Sequence, residues 1–325
     1  MPKSGIIRYL TIVIDASESS SGADFRPTRL SFIKICLEDF LPEFFNENPL
    51  SHVSLLLSKD GKCSRLTDFS ASALSHISAL EVLPVPNGTF SLQNSLDLAV
   101  HIHNTISPAY CSKEVLILTS SISSIDPADP LQTISQIQKQ DPVRACSVSI
   151  LSLAASVYLF EQCAEKCRGF FHVATLSTDF SINLKKLITP PPQLFSTSFL
   201  IPVGFPSKSE GVWYFPDISS IEPVLCEYEC PRCSNRTNIV PGKCPFCKLQ
   251  LTTSSHLISS SVKMDRLKTF VHLSELPANQ SCRGCNCILN EGFGCVGCSF
   301  VYCKTCQSNL IEHLHLCPGC LLLPS

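Results

Sequence analysis

Residues 11–19 read TIVIDASES. A β-branched apolar run ending at Ile14 gives way at once to Asp15, Ser17 and Ser19. A buried strand delivers oxygen-bearing side chains to the carboxyl edge of a sheet in this way. Further strand-like runs follow at 52–59, 113–120, 144–151 and 169–175. Between them, 27–45, 70–83, 91–106, 129–140 and 157–168 carry apolar residues three and four apart, the helical spacing. The strands are continuous apolar runs, so helices are expected on both faces of the sheet. Such alternation predicts a doubly wound, mostly parallel α/β domain over residues 6–189. Pro27 and Asp129-Pro130 suit helix starts, and Gly169 suits a helix end. Three prolines at 190–192 stop the last helix, and 190–225, which contains the only tryptophan, Trp213, reads as a linker without periodicity.

Cysteine divides the chain a second way. Of the 20 cysteines in 325 residues, fourteen fall between Cys226 and Cys320. The chain is 44% hydrophobic and 16% charged with net charge −2, which describes an ordered globular protein with no long-range field for polyanions, so any DNA contact is expected to be mainly indirect. No apolar run approaches the roughly 18 residues of a membrane helix. Only six uncharged residues separate Arg8 from Asp15, so no amino-terminal signal is expected. The expected setting is intracellular and reducing, where paired CxxC motifs mean metal more often than disulfide.

Cys230, Cys233, Cys244 and Cys247 form two CxxC pairs ten residues apart within 226–260. Two such pairs complete a closed, tetrahedral zinc site of ribbon type. Four more pairs lie in 278–325: Cys282 and Cys285, Cys295 and Cys298, Cys303 and Cys306, Cys317 and Cys320. Their spacing resembles a RING finger, in which the first pair shares an ion with the third and the second with the fourth. Three zinc ions on twelve cysteines are expected, with His313 and His315 as rival ligands and Cys226 and Cys287 without a role. Closed four-thiolate sites leave no position for water or substrate, so they build surfaces and do no chemistry.

A strand followed by DxSxS resembles the von Willebrand factor A domain, in which these side chains begin a metal-ion-dependent adhesion site. Thr89 stands where the family's second-loop threonine should be. The later aspartate is missing: the strand at 115–118 runs into Thr119-Ser120-Ser121, and only Asp126, further on, could partly substitute. Mg²⁺ usually takes one or two carboxylates among near-octahedral oxygens. Asp15, Ser17, Ser19 and Thr89 are therefore expected to be a degenerate, empty site that orders a turn, with no Mg²⁺ cofactor.

The order of this domain, Pro-Pro-Pro, VGFP at 203–206, the CPRC and CPFC ribbon, SSHL at 254–257 and a terminal all-cysteine module ending CPGC is similar to one family. That family is the A-domain and zinc-finger core subunit of the general transcription and DNA-repair factor TFIIH. The resemblance spans nearly the whole chain. It implies a non-catalytic nuclear scaffold whose A domain binds and stimulates the 5′–3′ XPD-type helicase in transcription initiation and nucleotide excision repair. It also implies cysteine modules that hold other core subunits, a second A-domain subunit among them. The helicase contact is expected at Ile122, Ser123 and Ile125, on the loop leaving the strand at the carboxyl edge. The alternative is a RING-type ubiquitin ligase. Such RINGs carry a bulky aliphatic residue at the first cysteine pair and a tryptophan nearer the last, whereas this chain has Arg283 and Gly284 inside the first pair and Trp213 far upstream. No GxxxxGK[ST] loop is present, no nucleophile elbow surrounds Ser120 and Ser121, and His101 and His103 read as ordinary surface or half-buried helix residues.

Overall fold

Strand β1 (Arg8–Asp15) is buried along its whole length and lies between two parallel neighbours, β2 (His52–Lys59) and β4 (Ser112–Thr119). With β3 (Lys62–Arg65), β5 (Ser147–Ser152) and β6 (Arg168–Val173) it makes a six-stranded sheet of order β3-β2-β1-β4-β5-β6, parallel except for the β2–β3 hairpin. This is the von Willebrand factor A-like arrangement. The computed structural model describes residues 7–106, 111–138, 146–190, 202–215, 223–257, 269–274, 276–277, 280–289, 291–311 and 317–322. It falls into two units, Pro2–Leu257 and Ile258–Ser325.

Side-chain alternation along each strand sorts the sheet's apolar residues into two helical layers. Leu10, Ile12 and Ile14 of β1 and Leu116 and Leu118 of β4 pack against α1 (Arg29–Glu47), α2 (Ala73–Glu81) and α6 (Ser177–Lys186), through Phe40, Phe44, Leu80, Phe180 and Leu184. Val13, Val115, Ile117 and Ile150 face α3 (Leu92–Ile106), α4 (Pro130–Gln138) and α5 (Tyr158–Lys166), through Leu96, Ile134 and Phe160. Thr28 caps α1 by accepting a bond from Ser31 N, one residue beyond Pro27.

A buried ion pair joins β1 to β4. Arg8, 0% exposed, donates Nε and Nη2 to the two oxygens of Glu114 at 2.9 and 2.7 Å. Its remaining donors go to Asn48 Oδ1, Ile188 O and Leu187 O. All five guanidinium N–H groups are thereby used. The network ties β1 and β4 to the ends of α1 and α6.

Three sequence expectations are corrected, and one strand goes beyond them. Gly169 does not end a helix: it lies in β6, where a Cβ would stand 1.8 Å from Val148 O, and Arg168 takes the left-handed turn instead (φ 59°). The antiparallel edge β3 arises from Asp60-Gly61, both at positive φ (52° and 68°), the pairing that a two-residue hairpin demands. His103 is fully buried, its Nε2 within 3.0 Å of Thr11 Oγ1 and 3.2 Å of Glu114 O, and burial first, then Lys113, lowers its pKa to about 3. The 190–225 stretch contains strands: β7 (Val203–Gly204) pairs with β12 (Gln250–Leu251), and β8 (Ser207–Tyr214) pairs with β9 (Val224–Glu229). That stretch therefore builds the ribbon rather than leading to it. With β10 (Arg236–Thr237) and β11 (Gly242–Lys243), these strands form two three-stranded sheets. The ribbon sits at the amino ends of β1 and β2, where Lys243 Nζ lies 5.3 Å from the centre of the Tyr9 ring and Leu257 packs on the cluster of Ile7, Tyr9, Leu50 and Cys111.

The second unit is a small antiparallel sheet, β13 (Phe270–Leu273), β14 (Gly292–Cys295) and β15 (Val301–Tyr302), with short helices α7 (Lys304–Asn309) and α8 (Pro318–Leu322). Of the eight buried residues of its described core, Cys282, Leu289, Cys295, Cys298, Val301, Tyr302, Leu310 and Cys317, four are cysteines.

Candidate functional site

Three groups of four cysteines converge, each with sulfurs within 4.8 Å of one another: Cys230, Cys233, Cys244 and Cys247; Cys282, Cys285, Cys287 and Cys303; Cys295, Cys298, Cys317 and Cys320. Cross-pair S···S separations are 3.6 Å for Cys230–Cys247, Cys233–Cys244, Cys295–Cys320 and Cys298–Cys317, and 3.7 Å for Cys285–Cys303. A disulfide needs about 2.05 Å, whereas thiolates about 2.3 Å from a tetrahedral ion stand roughly 3.8 Å apart. The groups have the dimensions of metal sites and could each hold an ion.

The chain builds them from two backbone devices. Cys230–Cys233, Cys244–Cys247, Cys282–Cys285 and Cys295–Cys298 sit on tight turns. In each, the first cysteine's carbonyl accepts from the residue after the pair, Ser234, Lys248, Asn286 or Ser299, all at φ near 56–59°. Cys303–Cys306 and Cys317–Cys320 instead open α7 and α8, where a spacing of three puts both thiols on one face. Backbone N–H groups point at sulfur: Gly284 N and Cys303 N donate to Cys282 Sγ at 3.4 and 3.2 Å, and Cys306 N to Cys303 Sγ at 3.4 Å. Tyr302 Oη lies 3.3 Å from Cys317 Sγ. A metal ligand must be a thiolate, and each group contains one thiol poised near neutrality. Burial raises Cys247, but the Leu249 N–H and the neighbouring thiols outweigh it and bring it to about 7. Burial likewise opposes, and the Tyr302 hydroxyl with backbone N–H groups overcomes, at Cys317, also about 7. The Cys287 N–H leads in lowering Cys285 to about 6.

The structure thus brings the first RING-like pair to Cys303 and the second pair to the fourth. The first group differs from the sequence reading in one ligand: Cys287, left without a role there, stands among the four convergent thiols, while Cys306 adjoins Cys303, Cys285 and Cys282 from the side. The signal was the third cysteine of Cys285-Asn286-Cys287. His313 and His315 lie outside the described residues.

At the carboxyl edge of the large sheet, Asp15 is 0% exposed and hydrogen-bonded on both oxygens. Oδ1 accepts from Ser17 N at 2.9 Å; Oδ2 accepts from Thr119 Oγ1, Ser120 N and Ser121 Oγ at 3.2, 2.9 and 2.8 Å. Ser17 Oγ lies 2.8 Å from Ser121 Oγ. Arg29, paired with Asp24, donates Nη1 to Ser120 O at 2.9 Å and feels the Asp15 charge. Ser19 and Thr89 are exposed, and no hydrogen bond joins either side chain to Asp15 among the described residues. Asp126 is committed elsewhere: its Oδ1 accepts from Ser91 Oγ and Gln93 N at the start of α3. The neighbouring loop is held by Ile125 N to Phe90 O and by Leu92 N to Ser124 Oγ, yet Ile122 and Ile125 are 66% and 60% exposed, with Ser123 exposed between them.

A family model described as Ssl1-like matches residues 13–206, more than half of the chain. The chain belongs to the Ssl1-like family. This Ssl1-like chain is 32% identical to general transcription factor IIH subunit 2 of Dictyostelium discoideum, over 97% of its own length and 69% of the relative's. It is 34% identical to the protein of that name in Arabidopsis thaliana, with coverage of 97% and 78%. Against general transcription and DNA repair factor IIH subunit ssl1 of Schizosaccharomyces pombe it is 30% identical, with coverage of 97% and 79%. These relatives are named as subunits of a general transcription factor. Among solved structures it resembles the SpRpn10 VWA domain (TM-score 0.47, 15% identity, 56% of this chain and 96% of that one) and the TFIIH p34 N-terminal domain (TM-score 0.41, 22%, 55% and 97%). No helix among the described residues of this Ssl1-like chain is long and apolar enough to cross a membrane.

Proposed function

We propose that this Ssl1-like chain is a non-catalytic core subunit of a general transcription and repair factor IIH, working in the nucleus as a scaffold and helicase regulator. Its A-like domain binds and stimulates the 5′–3′ XPD-type helicase through the carboxyl edge of the sheet. Its three cysteine groups hold zinc and present the surfaces that keep other core subunits, including a second A-domain subunit, in the assembly; DNA is met mainly through those partners. The zinc ligands of this reading are Cys230, Cys233, Cys244, Cys247, Cys282, Cys285, Cys295, Cys298, Cys303, Cys306, Cys317 and Cys320. No Mg²⁺ is needed at Asp15, because four protein donors already meet its two oxygens and the Arg29 guanidinium adjoins the loop.

The observation that carries the helicase contact is the loop of Ile122, Ser123 and Ile125. The loop is pinned by Ile125 N to Phe90 O and by the Ser124 and Asp126 side chains, which accept from Leu92 N and Ser91 Oγ, while two aliphatic side chains stand in solvent. Ordered apolar side chains ringed by small polar residues suit the centre of an interface, and little ordering entropy is lost on binding. The ligase alternative gains nothing here: Arg283 occupies the position inside the first pair and lies over the Phe300 ring at 4.9 Å. The test is unwinding by the reconstituted partner helicase with wild-type or Ile122→Arg subunit. A charge buried without a partner weakens binding by about 3–5 kcal/mol, so stimulation should vanish at subunit concentrations that saturate the wild type. Equal stimulation from a folded, fully metallated Ile122→Arg would move the contact elsewhere.

A further inference from the structure

The four tight cysteine turns are built alike up to their sixth residue. In each, the first cysteine's N–H donates to the carbonyl two residues past the second cysteine: Asn235, Leu249, Cys287 and Phe300, at 2.9, 2.9, 2.8 and 3.0 Å. That bond fixes the sixth residue beside the metal-binding thiols. Three turns fill the place with a side chain that cannot give a thiolate; the turn of Cys282 fills it with one that can. Cys287 Sγ lies 3.2 Å from Cys285 Sγ and within 4.8 Å of Cys282 and Cys303.

Cys306 reaches the same trio by a separate route. The first turn of α7 sets it three residues past Cys303, with its N–H on Cys303 Sγ. Its thiol borders Cys303, Cys285 and Cys282. Gly284 leaves room for it, since a Cβ there would stand 2.7 Å from Cys306 Sγ. Five thiols therefore meet where a tetrahedral ion accepts four. Among the described residues no such surplus occurs at the other two groups, where the convergent cysteines number four each.

We infer that Cys282, Cys285 and Cys303 are fixed ligands of one zinc ion and that Cys287 and Cys306 are interchangeable as its fourth. When one releases the metal it takes up a proton, and the other gives one up as it binds, so the ion keeps four thiolates and the site keeps its charge. Cys287 is exposed and held by its own turn, whereas Cys306 depends on α7. The ion therefore survives displacement of α7 at the Cys306 end, because Cys287 closes its shell. This rests on the zinc reading above.

The test is metal content of the full-length chain, purified under reducing conditions, with Cys287→Ala, Cys306→Ala, the double variant and Cys303→Ala. Wild type holding fewer than three zinc ions would defeat the zinc reading itself and is scored first. Given three, each of Cys287→Ala and Cys306→Ala is expected to keep three, while the double variant and Cys303→Ala each drop to two. Cadmium-113 resonances of the two single variants should still report four sulfur ligands at every site. Loss of an ion from either single variant, whether the module unfolds or merely empties, overturns interchangeability. Three ions in the double variant would overturn it as well.

Discussion

Asp15 and Cys282 hold comparable places, one at the edge of the large sheet and one beside the small sheet, each almost wholly buried where loops converge, yet they are satisfied by different means. Four donors from the protein's own backbone and hydroxyls reach the Asp15 carboxylate. Around Cys282 two N–H groups reach the sulfur, and the other neighbours are thiols like itself. A lone anion surrounded by donors is stable without an ion. A cluster of anions is not, because like charges at 3.6 Å repel unless a cation sits among them. Two layers of helices hold the large sheet. In the cysteine modules, cysteine makes up half of the described core of the second unit and two of the three buried residues in the ribbon cluster, so on the zinc reading proposed above their packing depends on the ion.

The sharpest way to break this contrast is to remove the metal. Structural zinc contributes about 10–16 kcal/mol per site in small modules, more than a polar core of this size could replace. Chelation with reductant present should abolish hydrogen-exchange protection in β14, β15 and the ribbon strands while amides of β1, β2 and β4 stay protected. Collapse of the large sheet under the same treatment would show that its stability is borrowed from the ribbon packed at its amino edge.

A smaller effect tests whether the large sheet meets every buried charge without an ion. Arg8 spends all five donors on Glu114, Asn48, Leu187 and Ile188. Arg8→Met keeps much of the volume and leaves Glu114 buried and unpaired, so about 3–5 kcal/mol should be lost in denaturant unfolding of the sheet domain, with zinc content unchanged. Arg8→Met with Glu114→Gln should recover part of that loss. A single variant as stable as wild type would mean that water reaches Glu114.

The sheet, its alternation with helices and the cysteine pairs were legible because each rests on a short-range pattern: continuous apolar strands, helical spacing, CxxC. What escaped depended on partners distant in sequence. Arg8 reads as a charge near the amino terminus, and only the arrival of Glu114 and the end of α6, 106 and about 180 residues away, makes it a core residue. β7, two residues long, and β8, mostly exposed, carry no periodicity of their own, and their hydrogen-bonding partners, β12 and β9, lie beyond them in the chain. The edge strand β3 has a local turn signal in Asp60-Gly61, but the residues after it, Lys62–Arg65, are mostly polar and carry no apolar run. Cys287 looked spare because counting pairs leaves it over; only the turn's geometry shows that its place faces the metal ligands.

The smallest effect belongs to the residue that opens the sequence. Asp15→Asn preserves shape and replaces one acceptor by a donor. The amide oxygen will take the place of Oδ2, where Thr119, Ser120 and Ser121 all donate, leaving its NH₂ against the Ser17 N–H. One bond is lost and the rest lose their charge assistance, which amounts to about 1–3 kcal/mol of stability. A genuine magnesium site behaves otherwise: ligand binding to the folded state alone adds RT ln(1 + [L]/Kd), so millimolar Mg²⁺ would raise the unfolding temperature of the wild type and not of Asp15→Asn. The expected outcome is no shift for either protein, with Asp15→Asn lower by the same few degrees in Mg²⁺ and in a magnesium-free buffer. A rise confined to wild type would restore the metal to the edge and place Asp15 with the cysteines, as a group that needs a cation rather than one that has replaced it.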